Sequence, residues 1–431
     1  MELVFLGTAS CVPSATRGVM SVCLKMSGEV WMFDAGEGTQ IQVQKSMVRV
    51  ARLTKIFITH AHGDHTFGLP GLLCLLGASQ DTEPGERLEI YGPEGLRQYL
   101  RVSMRFTQSR VTAPYVVHEL RNIPTEYSGV DESQDPAWMG WAGADTYGKD
   151  KALPDRLLRK DHRYGERDGG RDIYPDENGQ FLVYQDDKHT VRAGPIKHTV
   201  PCVGYVVEES SKPGRLKVEE IEPVLQPHSE AIAKAVSSNN YRHVYKLIKQ
   251  MEPGSELTVP GTDLTLQYDE VMQAPQRGRK VAIMGDTSDA GGMGRIAQDT
   301  DVMVHEATNT HLPPADEGKS YADVERDAIA HGHSTPHMAA RFARDTRARQ
   351  LVLTHFSPRY RGDDSAESVA TMMRIEGQAR RVSQMERHRV IAAWDLMNLP
   401  VLGPSAWERY EEKAKQETAA FTEALEARAA E

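Results

Sequence analysis

The chain has 431 residues, with 51 Lys and Arg against 61 Asp and Glu, a formal net charge of −10. The length allows a large buried core, and the acidic balance excludes a protein that holds nucleic acid by overall basic charge, though not one with a local basic patch. An apolar content of 39% excludes disorder of the whole chain, and four cysteines without C-x-x-C spacing exclude a disulfide scaffold, a zinc ribbon and a thioredoxin motif. The thiols read as reduced, mostly core residues. No run of 18 apolar residues predicts a membrane span, and no basic leader or transit segment precedes the opening MELVFLGTAS. The expectation is a soluble protein of cytoplasm or nucleus.

In chain order, residues 2–6 form an apolar strand ended by Gly7, followed by a Ser/Thr/Pro/Gly-rich loop over 11–20. Residues 21–26 and 29–33 suit two strands around the Ser27-Gly28 turn, and 38–48 suits a short helix. Leu53–Thr59 is a β-rich run that ends directly on His60. Residues 68–76 predict a buried helix, 89–91 a strand, and 94–106 a helix after a Gly-Pro turn. Short strands mixed with amphipathic helices predict a layered α/β fold. Residues 121–190 combine 12 Gly and Pro with many Asp, and read as a long, partly disordered acidic surface insertion. Residues 404–431 are Ala/Glu-rich and read as a solvated C-terminal helix. These two stretches carry most of the acidity, with 10 basic against 15 acidic side chains in the first and 4 against 7 in the second. The rest of the chain is nearly neutral.

His60-Ala-His62-Gly-Asp64-His65 is the strongest chemical signal. Three imidazoles and a carboxylate sit within six residues at the end of a predicted strand. Both ligand types suit zinc at about 2.0–2.2 Å. Four ligands this close crowd a single tetrahedral site, so two adjacent metals, each served by two of them, fit the spacing better. Further ligands are needed. His198, Asp286 and His355 each follow a predicted strand and complete the candidate set. Two metals about 3.5–4 Å apart can share a bridging hydroxide and polarise a phosphate.

HxHxDH with a downstream His, Asp and His resembles the metallo-β-lactamase fold. Further motifs make the chain similar to the ribonuclease Z family, the tRNA 3′-end endonucleases, in the eukaryotic short form. They are Phe5-Leu-Gly-Thr8, Trp31 to Gln40, Phe57 to Gly71, Val203-Gly-Tyr205 and Gly278-Arg-Lys280. Gly285-Asp-Thr287, His305-Glu-Ala-Thr308, His331 to Pro336 and Leu353 to Ser357 with Arg359-Tyr360 continue the series. The match runs from about residue 2 to 395 and diverges over 121–190.

The resemblance implies an αββα sandwich, two mixed sheets face to face with helices outside, over residues 1–403. It implies a protruding tRNA-binding arm at about 208–276. His60, His62 and His198 would hold one zinc and Asp64, His65 and His355 a second, with Asp286 bridging. Manganese or iron would suit the same donors. Asp34 would orient a ligand imidazole. Asp64 and Asp286 would also accept hydrogen bonds from the nucleophile, and Glu306 with His333 would protonate the leaving 3′-oxygen. His331 and His337 read as structural, and His305 as lying behind the site. The product would be a tRNA 3′-hydroxyl and a trailer 5′-phosphate. A homodimer is implied, with no membrane partner and no nucleotide cofactor.

The arm's usual Gly-Pro-rich tip is absent. In its place Arg242, Lys246 and Lys249 fall at helical spacing beside Tyr241 and Tyr245, and residues 231–250 carry four basic and no acidic side chains. These three, with Arg17 and Arg359, are the candidate RNA contacts. The HxHxDH cluster alone would equally permit a small-molecule phosphodiesterase, arylsulfatase or thioesterase of the same fold. Loss of ligands would signal a binding-only subunit, but all seven are present.

Overall fold

A computed structural model describes residues 1–78, 87–110, 112–124 and 155–413. Within these the chain divides into two compact units, Met1–Glu208 with Arg279 onward, and Glu209–Gly278.

The first seven strands are β1 (Glu2–Gly7), β2 (Ser21–Lys25), β3 (Val30–Phe33), β4 (Leu53–Phe57), β5 (Leu88–Pro93), β6 (Tyr115–Leu120) and β7 (Asp172–Ile173). Three more follow: β8 (Phe181–Gln185), β9 (His189–Ile196) and β10 (Cys202–Glu209). The second unit contains β11 (Glu256–Thr258) and β12 (Thr265–Gln267). The last five are β13 (Lys280–Ile283), β14 (Val302–Glu306), β15 (Leu351–Thr354), β16 (Val390–Ala392) and β17 (Asn398–Pro400). One sheet runs β17-β1-β2-β3-β4-β5-β6-β7 and the other β16-β15-β14-β13-β10-β9-β8. Both are mixed. β3 to β7 are parallel neighbours, as are β13 to β16, whereas β1, β2 and β3 pair antiparallel.

Period-2 alternation explains the layers. Phe5, Trp31, Phe33 and Phe57 of the first sheet meet Phe181, Val203, Tyr205, Ile283 and Val304 of the second in one core. Phe33, Phe57 and Tyr91 stack in series at 5.0 Å between centroids. The intervening residues face outward under helices. Val4, Met32 and Ile56 pack beneath the helices Leu69–Ala78 and Leu96–Phe106. Ala282, Met303 and Leu353 pack beneath Pro336–Asp345 and Ala366–Ser383. Sheet on sheet with a helical layer outside each is the expected αββα sandwich.

Two expectations need correction. The stretch 121–190 is not one insertion, because β7, β8 and the start of β9 lie within it and belong to the two core sheets. Alternation in FLVYQ carries β8, with Phe181 and Val183 buried and Leu182 exposed. Asp-rich turns on either side hide so short a strand in a compositional reading. Residues 125–154 lie outside the described residues. The C-terminal segment is not simply solvated either. Trp407 is buried, Arg389 lies over its ring, and Arg389 pairs with Glu411. Residues 414–431 lie outside the described residues.

The second unit has its own apolar core. Ile221, Leu225, Ile232, Val244, Ile248, Val259, Leu266 and Tyr268 pack together from four short helices and the β11–β12 ribbon.

Candidate metal centre

The candidate site gathers at the strand ends of the sandwich. Asp34 follows β3, the 60–65 loop follows β4, His198 follows β9, Asp286 follows β13 and His355 follows β15; Glu306 is the last residue of β14. Parallel neighbours bring their carboxyl ends to one edge of a sheet, where ligands of open α/β folds collect. Asp34 and His355 both take positive φ, 59° and 56°, which turns each side chain off its strand axis at some conformational cost.

The structure brings all seven expected ligands together in two sets. His60, His62, His198 and Asp286 form one, and Asp64, His65, His355 and Asp286 the other. In the first, His62 Nδ1 lies 3.2 Å from His198 Nε2, and Asp286 Oδ2 lies 3.7 Å from His60 Nε2 and 3.8 Å from His198 Nε2. In the second, His65 Nε2 and His355 Nε2 are 3.3 Å apart, and His355 Nε2 is 3.3 Å from both Asp64 Oδ2 and Asp286 Oδ2. Two ligands on a tetrahedral ion at about 2.05 Å stand about 3.3 Å apart. The spacing is therefore that of donors around a shared ion.

Hydrogen bonds behind the ring nitrogens agree. His60 Nδ1 lies 3.0 Å from Thr59 Oγ1, whose hydroxyl donates to Asp34 Oδ2 at 2.8 Å. Because the hydroxyl proton is spent on Asp34, the His60 Nδ1–H must donate to it, which leaves Nε2 a bare acceptor. That atom is buried and has no hydrogen-bond partner. A buried, unpaired lone pair is costly unless an ion takes it. Thr308 repeats the device at His355. Its hydroxyl donates to Glu306 Oε2 at 2.5 Å and accepts from His355 Nδ1 at 3.0 Å. Asp34 Oδ2 accepts from His65 Nδ1 at 2.7 Å, the orienting contact expected of it. His198 Nδ1 donates to the Gly332 carbonyl at 2.8 Å, and the Cys11 amide donates to Asp64 Oδ2 at 2.6 Å.

Charge points the same way. Burial and neighbouring imidazoles push His60 well below its ordinary range, and burial brings His198 to about 4. Burial disfavours charge on Asp64 and Asp286, yet His65 and His355 hold both carboxyls below the usual range. Burial opposes a proton on His65 too, but Asp286, Asp34 and Asp64 outweigh it. Neutral His60 and His198 and a proton-holding His65 converge on buried, ionised carboxylates, an arrangement in which cations can replace the proton, and the donor set fits zinc.

Beside the ligands lie His333 and Glu306, the residues expected to act as acid and base. His333 Nδ1 is 3.1 Å from Glu306 Oε1, which also accepts the Thr287 amide at 2.7 Å. Burial lowers the His333 affinity for a proton, but Glu306 and Asp286 overcome it and raise the pKa to about 9. His305 is buried behind the site with its Nδ1 toward a backbone carbonyl, His331 is exposed, and His337 stacks on Tyr321 at 4.0 Å. Thr59, Thr308 and the Gly332 carbonyl were invisible to sequence reasoning. A lone threonine or a carbonyl carries no ligand signature, although all three fall inside motifs that carry the family resemblance, Phe57 to Gly71, His305 to Thr308 and His331 to Pro336.

The candidate RNA contacts fare unevenly. Arg17 is 1% exposed, bonded to the Tyr360 and Ala393 carbonyls and Thr8 Oγ1, and sandwiched against Phe356 and Trp394. It is a core strut, not a phosphate contact. Arg359 spends its charge on Asp316 at 2.9 and 3.0 Å. Arg242, expected on a helix face, leads from a 3₁₀ turn into the short helix Val244–Ile248 and pairs with Glu222. Tyr241 and Tyr245 also donate to Glu222, so their hydroxyls are engaged. Lys246 and Lys249 are exposed and line a groove in the second unit.

A family model described as Anti-Pycsar protein Apyc1 matches residues 1–110, which reaches the first four ligands only. The human protein named zinc phosphodiesterase ELAC protein 1 is 34% identical over 406 residues, 93% of this chain and 98% of that protein. A Synechocystis protein named ribonuclease Z is 33% identical over 362 residues, 84% of each chain. The crystal structure of human tRNase Z, short form (ELAC1), matches with a TM-score of 0.55 and 30% identity, covering 93% of this chain and 100% of that one.

Proposed function

The chain belongs to the ribonuclease Z family of zinc phosphodiesterases, and on that premise we propose that it removes the 3′ trailer from precursor tRNA with two zinc ions per subunit. One observation carries the reading: seven buried or half-buried ligands converge in two sets that share Asp286, with a histidine–glutamate pair alongside. His60, His62 and His198 would hold one ion, Asp64, His65 and His355 the other, and Asp286 both. When bound, the ions acidify a water and neutralise charge on the scissile phosphate. The chain's own residues then divide the remaining work. Asp64, anchored by the Cys11 amide, accepts a hydrogen bond from the attacking water. Glu306 keeps His333 protonated and aimed, and His333 delivers that proton to the departing 3′-oxygen. Asp34, Thr59 and Thr308 hold the ligand imidazoles in one tautomer each.

Two further readings follow, the first resting on the family likeness and the second on the free thiols. The enzyme acts as a homodimer, which light scattering of the purified protein tests. It works in cytoplasm or nucleus, a reducing setting that suits its free thiols. For the central reading, metal analysis should return two zinc ions per chain, and chelation should abolish cleavage of a 3′-extended pre-tRNA. Undiminished cleavage by zinc-free protein would overturn it.

A further inference from the structure

Phe67 stands out among the exposed apolar residues because of where it sits. It caps the short helix Gly63–Thr66 inside the ligand loop, two residues after His65, and is 65% exposed. Its ring lies against Gly63, which separates the ligands His62 and Asp64. A Cβ on Gly63 would come within 2.2 Å of Phe67 Cε2, so the glycine is what lets the ring settle there. The seat is rigid. The Phe67 amide donates to the Gly63 carbonyl at 2.8 Å, Thr66 Oγ1 to the His62 carbonyl at 2.9 Å, and Tyr99 Oη to the Thr66 carbonyl at 3.2 Å. The loop whose Cys11 amide holds Asp64 carries Val12, 54% exposed. Two exposed apolar side chains, one of them aromatic, thus stand on the segments that carry and anchor the His/Asp ligands.

We propose that Phe67 is a positioning residue whose ring stacks on the nucleobase of a nucleotide flanking the scissile phosphate. This rests on the nuclease reading above. A base is joined to its phosphate through one sugar, and Phe67 is joined to the ligands through one short turn, so a stacked base sets the phosphate over the centre. Stacking tolerates any base, because every base has a π-face. It would fix the register of cleavage without reading sequence.

The test is a cycle of protein and substrate changes under single-turnover conditions. Wild type and F67A are compared on pre-tRNA that is intact, abasic immediately 5′ of the cut, or abasic immediately 3′ of it. F67A should lose roughly 10- to 100-fold in kcat/KM on the intact substrate. On one of the abasic substrates the loss should shrink below about threefold, since the partner is already gone. F67W should recover most of the activity. Should F67A shed zinc, F67L, which keeps bulk but lacks the π-face, takes its place in the cycle. Equal losses on intact and both abasic substrates, or no loss on the intact one, would overturn the stacking role. Failure of the nuclease reading looks different, because wild type would then not cut the intact substrate at all.

Discussion

Gly332 has φ +78° in the loop between the helices Tyr321–Ala330 and Pro336–Asp345, and its carbonyl accepts the His198 Nδ1 proton. Gly332→Ala perturbs this contact in two ways. An alanine in left-handed backbone costs roughly 1–2 kcal/mol. Its Cβ would stand 2.7 Å from His198 Nδ1 and 3.0 Å from Thr199 Cγ2. Restoring ordinary contact, about 3.5 Å, moves the imidazole or the loop by about 0.8 Å. Metal–ligand distances tolerate only about 0.2 Å. The outer contact that orients His198 is therefore lost, with an expected drop of roughly 10- to 100-fold in affinity at the His60/His62/His198 site. The Asp64/His65/His355 site does not touch Gly332 and should keep its ion. Competition against a chromophoric chelator resolves the two steps, and the variant should release one zinc early and the other with wild-type affinity. Two wild-type affinities would refute the reasoning, as would equal weakening of both sites.

Asp34→Asn should weaken zinc at the other site by a similar factor, because His65 loses its charged orienter; chelator competition again reads it. His333→Ala should keep both ions yet lose roughly 10²- to 10⁴-fold in single-turnover rate, and a wild-type rate would remove the proton-donor role. Glu306→Gln should move the alkaline limb of the pH–rate profile to lower pH. The carboxylate raises the His333 pKa, so the acid form is present below that pKa and lost as pH rises through it. Lys246→Glu with Lys249→Glu should weaken pre-tRNA binding and reduce its salt slope by about two, while an unchanged slope would exclude both from phosphate contact. Arg17→Met should instead cost roughly 3 kcal/mol in urea unfolding, since it strands buried acceptors.

Much of the site is legible in the sequence because its chemistry is compressed. Four ligands fall within six residues, and the others sit at the ends of short apolar runs such as Val281–Ile283 and Leu351–Thr354, where a strand must stop. Alternation also carries the sandwich, since Trp31 and Phe33 face one layer and Met32 the other. Errors arise where local pattern and tertiary role diverge. Arg17 looks like a surface cation in a Ser/Thr/Pro loop, but backbone carbonyls brought from residues 360 and 393 bury it. β7 is two residues long and β8 five, too short to show against their Asp- and Gly-rich flanks. The hydroxyls of Thr59 and Thr308 acquire meaning only when a ligand ring arrives at each from elsewhere in the chain or from the next residue.

The most direct measurement is the position and end chemistry of the cut in a 3′-extended pre-tRNA incubated with the zinc-loaded protein. Cleavage beside the discriminator nucleotide, leaving a 3′-hydroxyl on the tRNA and a 5′-phosphate on the trailer, is the predicted result. No cut there, or a tRNA ending in a 2′,3′-cyclic phosphate, would contradict the account.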